Sequence, residues 1–277
     1  MTKRPLRGAL RGFLFLALTG ILVLVYLPAM ALGKRATLAV RWLWCRGSAR
    51  ILGVRASTVG RPFAACPTVY VANHVSYLDA LVLGALLNGT FIAKSEIASW
   101  PLFGLLCRLT GTLFVRRHWR SALIQRNALA GRMRQGENFI LFGEGTSSNG
   151  LGVLPIKTSL LSVAEPWILD CPVAVQPVTL IYARHADGMP IGPANCDWYA
   201  WHSDAEFLPH LWGVLQLGGV EIRAVVGDPA LSWSVRSRKL LGRELQAHLS
   251  ADLAQGRLQA AATATGCVIE GQTARAG

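Results

Sequence analysis

The residues best suited to chemistry are His74 and Asp79, which stand five positions apart in the stretch VANHVSYLDA at 71–80. An apolar, β-branched run precedes them, so the pattern predicts that His74 follows a strand and that Asp79 opens a helix. A tight turn would bring the carboxylate back to one imidazole nitrogen and leave the other free to deprotonate a hydroxyl. The alternatives are a helix-capping aspartate beside a loop histidine without a duty, and half of a metal site.

A second group is the stretch GTLFVRR at 111–117, a predicted strand that ends in Arg116 and Arg117. Adjacent strand residues face opposite ways, so only one of the two arginines can point into a site on the inner face. A planar guanidinium can bind phosphate through two parallel hydrogen bonds, which makes this arginine a candidate ligand for an anionic substrate. Exposure to solvent is the usual state of paired arginines at a strand end, and it stays open as the alternative.

The third group is the glycine loop in ILFGEGTSSNG at 140–150, where Gly143 and Gly145 flank Glu144. Glycines allow backbone N–H groups to approach an anion or an oxygen closely. The loop is not a Walker loop, because no Gly-Lys-Ser/Thr follows. It is not a nucleophile elbow either, because Asn149 stands where that motif needs glycine. Serine hydrolase chemistry is therefore not expected.

Metal binding and disulfides are not expected from the cysteines and histidines. The six cysteines are scattered without a CxxC pair, and the remaining histidines lack a spacing such as HExxH. The pattern suits a reducing compartment and predicts no metal site.

The formal net charge of +13 belongs mostly to the N-terminal part of the chain. Eleven Lys and Arg residues precede Asp79 and no Asp or Glu does, whereas the remaining chain carries 17 basic against 15 acidic residues. A basic N-terminal segment would contact anionic membrane lipids. Nucleic-acid binding would need a basic recognition motif on the folded body, and the sequence contains none.

The segment 12–33, GFLFLALTGILVLVYLPAMALG, contains no charge. As a helix it would be about 33 Å long, enough to cross a hydrocarbon core, and it is longer than the apolar region of a cleaved signal peptide. Pro28 would kink it, so a re-entrant or interfacial hairpin is the alternative to a span. Together with the basic stretch behind it, the segment predicts a membrane anchor over residues 1–60. More basic residues follow the segment than precede it, so we expect a protein of an inner membrane whose folded domain faces the cytoplasm.

Residues 61–258 alternate between short apolar runs and stretches of helical length. The predicted strands are 67–73, 90–93, 112–116, 138–144, 173–182 and 220–227, and the predicted helices are 78–88, 99–109, 119–135, 156–165 and 236–257. This alternation predicts an α/β domain whose sheet is covered by helices. Residues 259–277, rich in Ala, Thr and Gly, are expected to form a disordered tail.

Four ordered blocks of the chain resemble the glycerolipid acyltransferase family, typified by 1-acylglycerol-3-phosphate acyltransferases. The blocks are NHVSYLD at 73–79, GTLFVRR at 111–117, FGEGTSS at 142–148 and VAVQPVTL at 173–180. The resemblance runs from about residue 66 to residue 182. It implies a mixed α/β sheet of the glycerol-3-phosphate acyltransferase-like type, covered by helices, behind an N-terminal apolar membrane-anchoring helix.

The resemblance also implies O-acyl transfer to a lysolipid. His74 would act as general base on the free hydroxyl of the acceptor, Asp79 would hold its imidazole, and Arg117 would bind the anionic headgroup. The residues implied to shape the acceptor pocket are Glu144, Gly145 and Thr146, with Lys157 as a weaker candidate for a further anionic contact. The donor would be acyl-CoA or acyl-carrier protein, which is a co-substrate, so no bound cofactor is expected.

Two positions of the third block depart from the family's usual Phe-Pro-Glu-Gly-Thr-Arg. Gly143 replaces the proline, which lowers the rigidity of the loop, and Ser147 replaces the arginine, which removes a cation near the headgroup. The form GTSSNG also resembles the lyso-ornithine-lipid acyltransferase branch, whose acceptor is a zwitterionic amino-acid lipid. The sequence predicts 1-acyl-sn-glycerol-3-phosphate as the first acceptor and a lyso-ornithine lipid as the second. A non-catalytic lipid-binding membrane protein is the competing class.

Overall fold

The computed structural model describes residues 3–99, 104, 107, 111–115, 127, 129–159, 161, 173–231 and 237–264. The strands are β1 (Val54–Val59), β2 (Thr68–Ala72), β3 (Thr90–Lys94), β4 (Leu113–Val115), β5 (Phe139–Phe142), β6 (Ala174–His185), β7 (Val220–Val226) and β8 (Ala230–Leu231). The helices are α1 (Pro5–Leu32), α2 (Lys34–Ile51), α3 (Leu78–Leu86), α4 (Phe207–Gln216) and α5 (Arg238–Ala264). Short 3₁₀ turns lie at Ser95–Ser99 and Cys196–Trp198.

The strands form one mixed sheet in the order β1-β7-β6-β2-β5-β3-β4, with β8 on β6. The neighbours from β6 to β4 run parallel, whereas β7 and β8 are antiparallel to β6. All five residues of β2 are buried, as expected for a central parallel strand covered on both faces. The predicted mixed α/β sheet is confirmed. Because β2 and β5 are parallel neighbours, the residues that follow them, His74 and Glu144, meet at the same edge of the sheet.

Helices cover both faces of the sheet. On one face α5 contributes Leu241, Leu245 and Leu249, whose spacing of four residues places them on one side of the helix against buried residues of β2 and β5. On the other face the buried core includes Leu78 and Leu83 of α3 together with residues of β6, β7 and α4. The motif NHVSYLD therefore begins at the end of a central strand that is covered on both faces.

The two N-terminal helices form an antiparallel hairpin that turns at Gly33, whose φ of +95° favours glycine. The indole of Trp44 in α2 donates a hydrogen bond of 3.0 Å to the hydroxyl of Thr19 in α1. The hairpin lies against the body, because Gly84 of α3 leaves no room for a side chain beside the sulfur of Cys45 in α2. By length and composition, α1 is the one described helix that could cross a membrane, which by itself is weak evidence for a span.

Two predicted boundaries need correction. β1 pairs with β7 along its whole length, so the α/β domain begins before Val54 and not at residue 61. α5 continues to Ala264, so residues 259–264 are helical and the expected tail begins too early. β1 was not predicted, because only its first residue is buried and its sequence VRASTV lacks an apolar run.

The other predicted elements differ in how far the structure tests them. The six predicted strands all appear, with ends shifted by up to three residues. α4 and β8 were not predicted. Of the predicted helix 119–135, residues 129–134 are helical and 119–128 lie largely outside the described residues, as does the predicted helix 99–109. Of the predicted helix 156–165, residues 156 and 157 are not helical, residues 158, 159 and 161 form 3₁₀ turns, and the others lie outside the described residues.

Candidate active site

His74 and Asp79 are brought together by the turn between β2 and α3. The imidazole Nδ1 lies 2.8 Å from Oδ2 of Asp79, and the same oxygen accepts the backbone N–H groups of Val75 at 2.6 Å and Ser76 at 2.9 Å. Asp79 is fully buried. Its carboxylate therefore stabilises the turn and binds the imidazole at once. It does not cap α3, because the N-cap residue is Tyr77 and the backbone N–H groups that Asp79 binds precede the helix.

The imidazole of His74 is held in one orientation. An ionised carboxylate only accepts hydrogen bonds, so Nδ1 carries the proton and Nε2 has a free lone pair in the neutral ring. The ring stacks on Phe142 at the end of β5, with centroids 3.9 Å apart and planes 17° from parallel. Its side chain is 19% exposed, and within the described part of the chain no hydrogen bond involves Nε2. One basic nitrogen is thus available to a substrate hydroxyl.

The backbone of His74 is fixed by the glycine loop. Glu144 accepts the N–H of His74 at 2.9 Å through one oxygen and the N–H of Leu154 at 3.1 Å through the other. Ser148 donates both its N–H and its hydroxyl to the carbonyl of His74, at 2.9 and 3.2 Å. Burial raises the pKa of Glu144 to about 7, and the two backbone N–H groups limit this rise. Glu144 and Ser148 thus fix the backbone of His74 from the side of the glycine loop.

Asn73 is a site residue whose role the sequence did not reveal. Its side-chain amide accepts from the N–H of Leu180 at 2.7 Å and donates to the carbonyl of the same residue at 3.0 Å. These two bonds continue the ladder between β2 and β6 by one residue. The position of Asn73, directly before the histidine in NHVSYLD, is the signal that could have indicated it.

The other predicted pocket residues have different positions. Gly145 has a φ of +67° and forms the turn after β5, and Thr146 lies exposed on the same loop. Lys157 is exposed and contacts the loop through its backbone N–H, which donates to the carbonyl of Gly143. Arg117 lies outside the described residues. β4, the strand before it, ends at the same edge of the sheet as β2 and β5.

Gly143 occupies a tightly packed position at the end of β5. Its N–H donates to the carbonyl of Ala72 at 2.9 Å, which a proline could not do. A Cβ would lie 2.8 Å from Ile156 and 2.9 Å from Val71. Replacement of the family's proline therefore does more than loosen the loop: it adds a bond between β5 and β2 directly before His74.

This chain is similar in sequence to known acyltransferases. The family model described as Acyltransferase matches residues 59–181. The lyso-ornithine lipid O-acyltransferase of Rhizobium meliloti is 36% identical over 267 residues, which covers 92% of this chain and 90% of that protein. The chain therefore belongs to the acyltransferase family and is an O-acyltransferase.

Two further similarities concern acceptor and fold. The 1-acyl-sn-glycerol-3-phosphate acyltransferase of Neisseria meningitidis serogroup B is 32% identical over 168 residues, 60% of this chain and 62% of that protein. The crystal structure of the 1-acyl-sn-glycerophosphate acyltransferase from Thermotoga maritima matches with a TM-score of 0.65 at 18% identity, over 90% of this chain and 96% of that chain. At this identity the match confirms the fold.

Proposed function

We propose that this protein transfers an acyl chain from an acyl thioester to the free hydroxyl of a lysolipid, with His74 as general base. The 2.8 Å contact between His74 and Asp79 carries the proposal, because it leaves Nε2 free to accept a proton. Nε2 takes the hydroxyl proton, the oxygen attacks the thioester carbonyl, and the C–S bond breaks as the imidazolium returns the proton to the leaving sulfur. Asp79 stabilises the imidazolium in between.

A lyso-ornithine lipid is the favoured acceptor, and 1-acyl-sn-glycerol-3-phosphate is the second candidate. The ornithine-lipid relative is matched over nearly its whole length and the phosphate-type relative over less than two thirds. Ser147 supports the same order, because it offers a hydroxyl where the family's arginine would supply a cation for phosphate. This reverses the order in which the sequence alone ranked the two acceptors.

The remaining site residues divide into those that position the base and those that contact the acceptor. Glu144 is 1% exposed and both of its oxygens are engaged, so it acts through the backbone of His74. Thr146 and Arg117 are the proposed headgroup contacts, Arg117 on a carboxylate or phosphate.

The test is acyl transfer by the purified full-length protein from labelled acyl-CoA and, separately, acyl-carrier protein. Lyso-ornithine lipid and lysophosphatidic acid are offered in identical detergent micelles. We expect kcat/KM for the ornithine lipid to exceed that for lysophosphatidic acid at least tenfold, and Ser147→Arg to narrow this ratio. A preference for lysophosphatidic acid would overturn the acceptor assignment. Transfer to neither acceptor from either donor would overturn the enzymatic proposal.

The general-base role is tested by His74→Ala, which should lower kcat by about 10²–10⁴-fold with either acceptor. His248→Ala is the matched control, because His248 also lies beside an aspartate, at 4.0 Å from Asp252, but on the surface of α5. The control should keep wild-type kcat. Near-wild-type transfer by His74→Ala would exclude the mechanism.

For membrane association we favour a hairpin of α1 and α2 that lies in the plane of the membrane over an α1 that crosses the membrane. The guanidinium of Arg11 donates to the carbonyls of Leu217 at 2.7 Å and Gly218 at 3.2 Å, so the first part of α1 is bonded to the body. The outward side of α1 exposes a row of large apolar residues, and α4 extends this surface with Leu208 and Trp212. A bilayer would cover the whole surface if α1 lay along it.

This placement is tested with Leu6→Cys and Leu32→Cys, at the two ends of α1, where the native side chains are 88% and 79% exposed. A membrane-impermeant maleimide is applied to sealed vesicles of either orientation, with the unsubstituted protein as background. An in-plane helix should give labelling of both ends from the same side. Labelling of the two ends from opposite sides would establish a span.

A further inference from the structure

Tyr182 contacts the catalytic pair from a different strand. Its hydroxyl donates a hydrogen bond of 2.6 Å to Oδ1 of Asp79. The three other donors to this carboxylate, Nδ1 of His74 and the N–H groups of Val75 and Ser76, all bind Oδ2. Within the described residues, Tyr182 is thus the donor on which Oδ1 depends.

The position of Tyr182 follows from the sheet. β6 lies beside β2 and continues beyond it, since the last paired residues are Ala72 and Val178. Side chains two residues apart in a strand share a face, so Val178, Leu180 and Tyr182 point into the same core. Leu180 and Tyr182 both lie past this last pair, and Tyr182, the farther of the two, reaches the carboxylate of Asp79 at the start of α3. It is 6% exposed, so its hydroxyl has little access to water.

We propose that Tyr182 is a positioning residue that acts through Asp79. The inference rests on the proposed function, since it assumes that His74 is the general base. Four donors on the two oxygens fix the plane of the carboxylate, which keeps Oδ2 directed at Nδ1 of His74. Without the tyrosine hydroxyl, Oδ1 is left buried without a donor, which is unfavourable for an ionised carboxylate. The carboxylate would then turn or draw in water, and the imidazole would lose its fixed orientation.

Tyr182→Phe is the test, because it removes one oxygen atom and keeps the ring. We expect kcat to fall about tenfold, equivalent to about 1.4 kcal/mol. The KM values for acceptor and donor should stay unchanged, since the buried hydroxyl does not reach either substrate. Both rates are normalised to the folded fraction, measured by near-ultraviolet circular dichroism.

Tyr199→Phe is the matched control. The hydroxyl of Tyr199 is also buried and also donates at 2.6 Å, but to the backbone carbonyl of Gly219. The control should lose stability without losing kcat per folded molecule.

A second readout is the Nδ1–H proton of His74 in the proton NMR spectrum, identified as the resonance that His74→Ala removes. Hydrogen bonding to a carboxylate shifts such a proton downfield. Tyr182→Phe should move this resonance, and Tyr199→Phe should leave it in place. A residue that only stabilised the fold would not produce this difference.

The possible outcomes distinguish failure of this inference from failure of the proposed function. Wild-type kcat and an unmoved resonance in Tyr182→Phe would overturn the role of Tyr182 while leaving the general base intact. Equal effects of Tyr182→Phe and Tyr199→Phe, or failure of Tyr182→Phe alone to fold, would mean a structural role and also overturn it. Full transfer by His74→Ala would defeat the proposed function, and the positioning role with it.

Discussion

A buried glutamate lies near each end of β5, and the two carboxylates have different partners and oppositely shifted pKa values. Glu137 precedes the strand and is 7% exposed, whereas Glu144 follows it and is 1% exposed. The pKa of Glu137 is lowered to about 2, and the pKa of Glu144 is raised to about 7. Two identical side chains, one strand apart, are thus placed in opposite electrostatic environments.

The environment of Glu137 is cationic. Burial favours the neutral acid, but hydrogen bonds from Arg132 and Thr90 and the charges of Arg132 and Lys34 outweigh it and lower the pKa of Glu137. Arg132 binds both carboxylate oxygens, at 2.7 and 2.6 Å, and Lys34 at the start of α2 lies 3.3 Å away. This cluster joins the N-terminal hairpin to the amino edge of the sheet.

Among the residues that the structure describes, the hydrogen bonds to Glu144 come from backbone N–H groups only. Two neutral N–H groups do not offset the burial of the carboxylate, so its pKa stays raised. Within the described residues, no Lys or Arg side chain is hydrogen-bonded or ion-paired with Glu144. The comparison teaches that cations hold the carboxylate at the amino edge of the sheet, whereas backbone N–H groups hold the one at the carboxyl edge.

The largest effect on the free energy of unfolding is expected from a substitution at the amino edge of the sheet. Glu137→Ala leaves the half-buried Arg132 without its bidentate partner and the buried hydroxyl of Thr90 without its acceptor, so the free energy of unfolding should fall by about 3 kcal/mol. The value of kcat per folded molecule should not change, because the cluster lies at the opposite end of β5 from His74. Urea unfolding in detergent and an acyl-transfer assay measure the two quantities. Glu244→Ala, at an exposed position of α5, is the control and should alter neither. Loss of kcat in folded Glu137→Ala would mean that the two edges are coupled.

At the carboxyl edge of the sheet we expect a smaller loss of stability than at the amino edge, and the main effect should be on kcat. Glu144→Gln keeps the shape of the side chain but supplies one oxygen acceptor, so either the N–H of His74 or that of Leu154 faces an NH₂ group. We expect kcat to fall about 100-fold, equivalent to about 2.7 kcal/mol of barrier, and the free energy of unfolding to fall by about 1 kcal/mol. An unchanged kcat in this variant would show that Glu144 does not position the base.

How far the sequence determined these features depends on the distance over which each one acts. The pairing of His74 with Asp79 could be predicted because five residues and one turn contain it. The bond from Tyr182 to Asp79 joins residues 103 positions apart, and it exists because β6 lies beside β2 in the sheet. Spacing within a motif does not encode that neighbourhood, so Tyr182 could be recognised as a strand residue but not as a partner of the aspartate.

The same limit applies to the elements of the fold. The runs that became β2 and β6 could be predicted because both strands are almost entirely buried and their sequences are mostly apolar and rich in β-branched residues. β1 is an exposed edge strand held by its pairing with β7, which no local pattern indicates. The glutamates follow the same rule: Glu137 and Glu144 look alike in the sequence, and their partners differ only in the fold.

The smallest effect is the pH dependence of stability, and the two glutamates should give it opposite signs. Glu144 binds its proton more tightly in the folded protein than in the unfolded chain, so its contribution is present below about pH 4.5 and is lost as the pH rises to about 7. Glu137 binds its proton less tightly when folded, so its contribution is present above about pH 4.5 and is lost as the pH falls toward 2. Between pH 5 and pH 7 the wild type should therefore lose about 2 kcal/mol relative to Glu144→Gln.

Urea unfolding in detergent at half-unit pH steps measures this difference, because subtraction of the Glu144→Gln curve removes the titration of every other group. Glu137→Gln serves as the opposite case: its difference from the wild type should be flat between pH 5 and pH 7 and should shrink only at lower pH. Parallel curves for wild type and Glu144→Gln would show that Glu144 has an ordinary pKa, and the electrostatic contrast between the two ends of β5 would be wrong. A slope of the expected sign would establish the contrast between a carboxylate held by cations at one end of β5 and a carboxylate held by backbone N–H groups at the other.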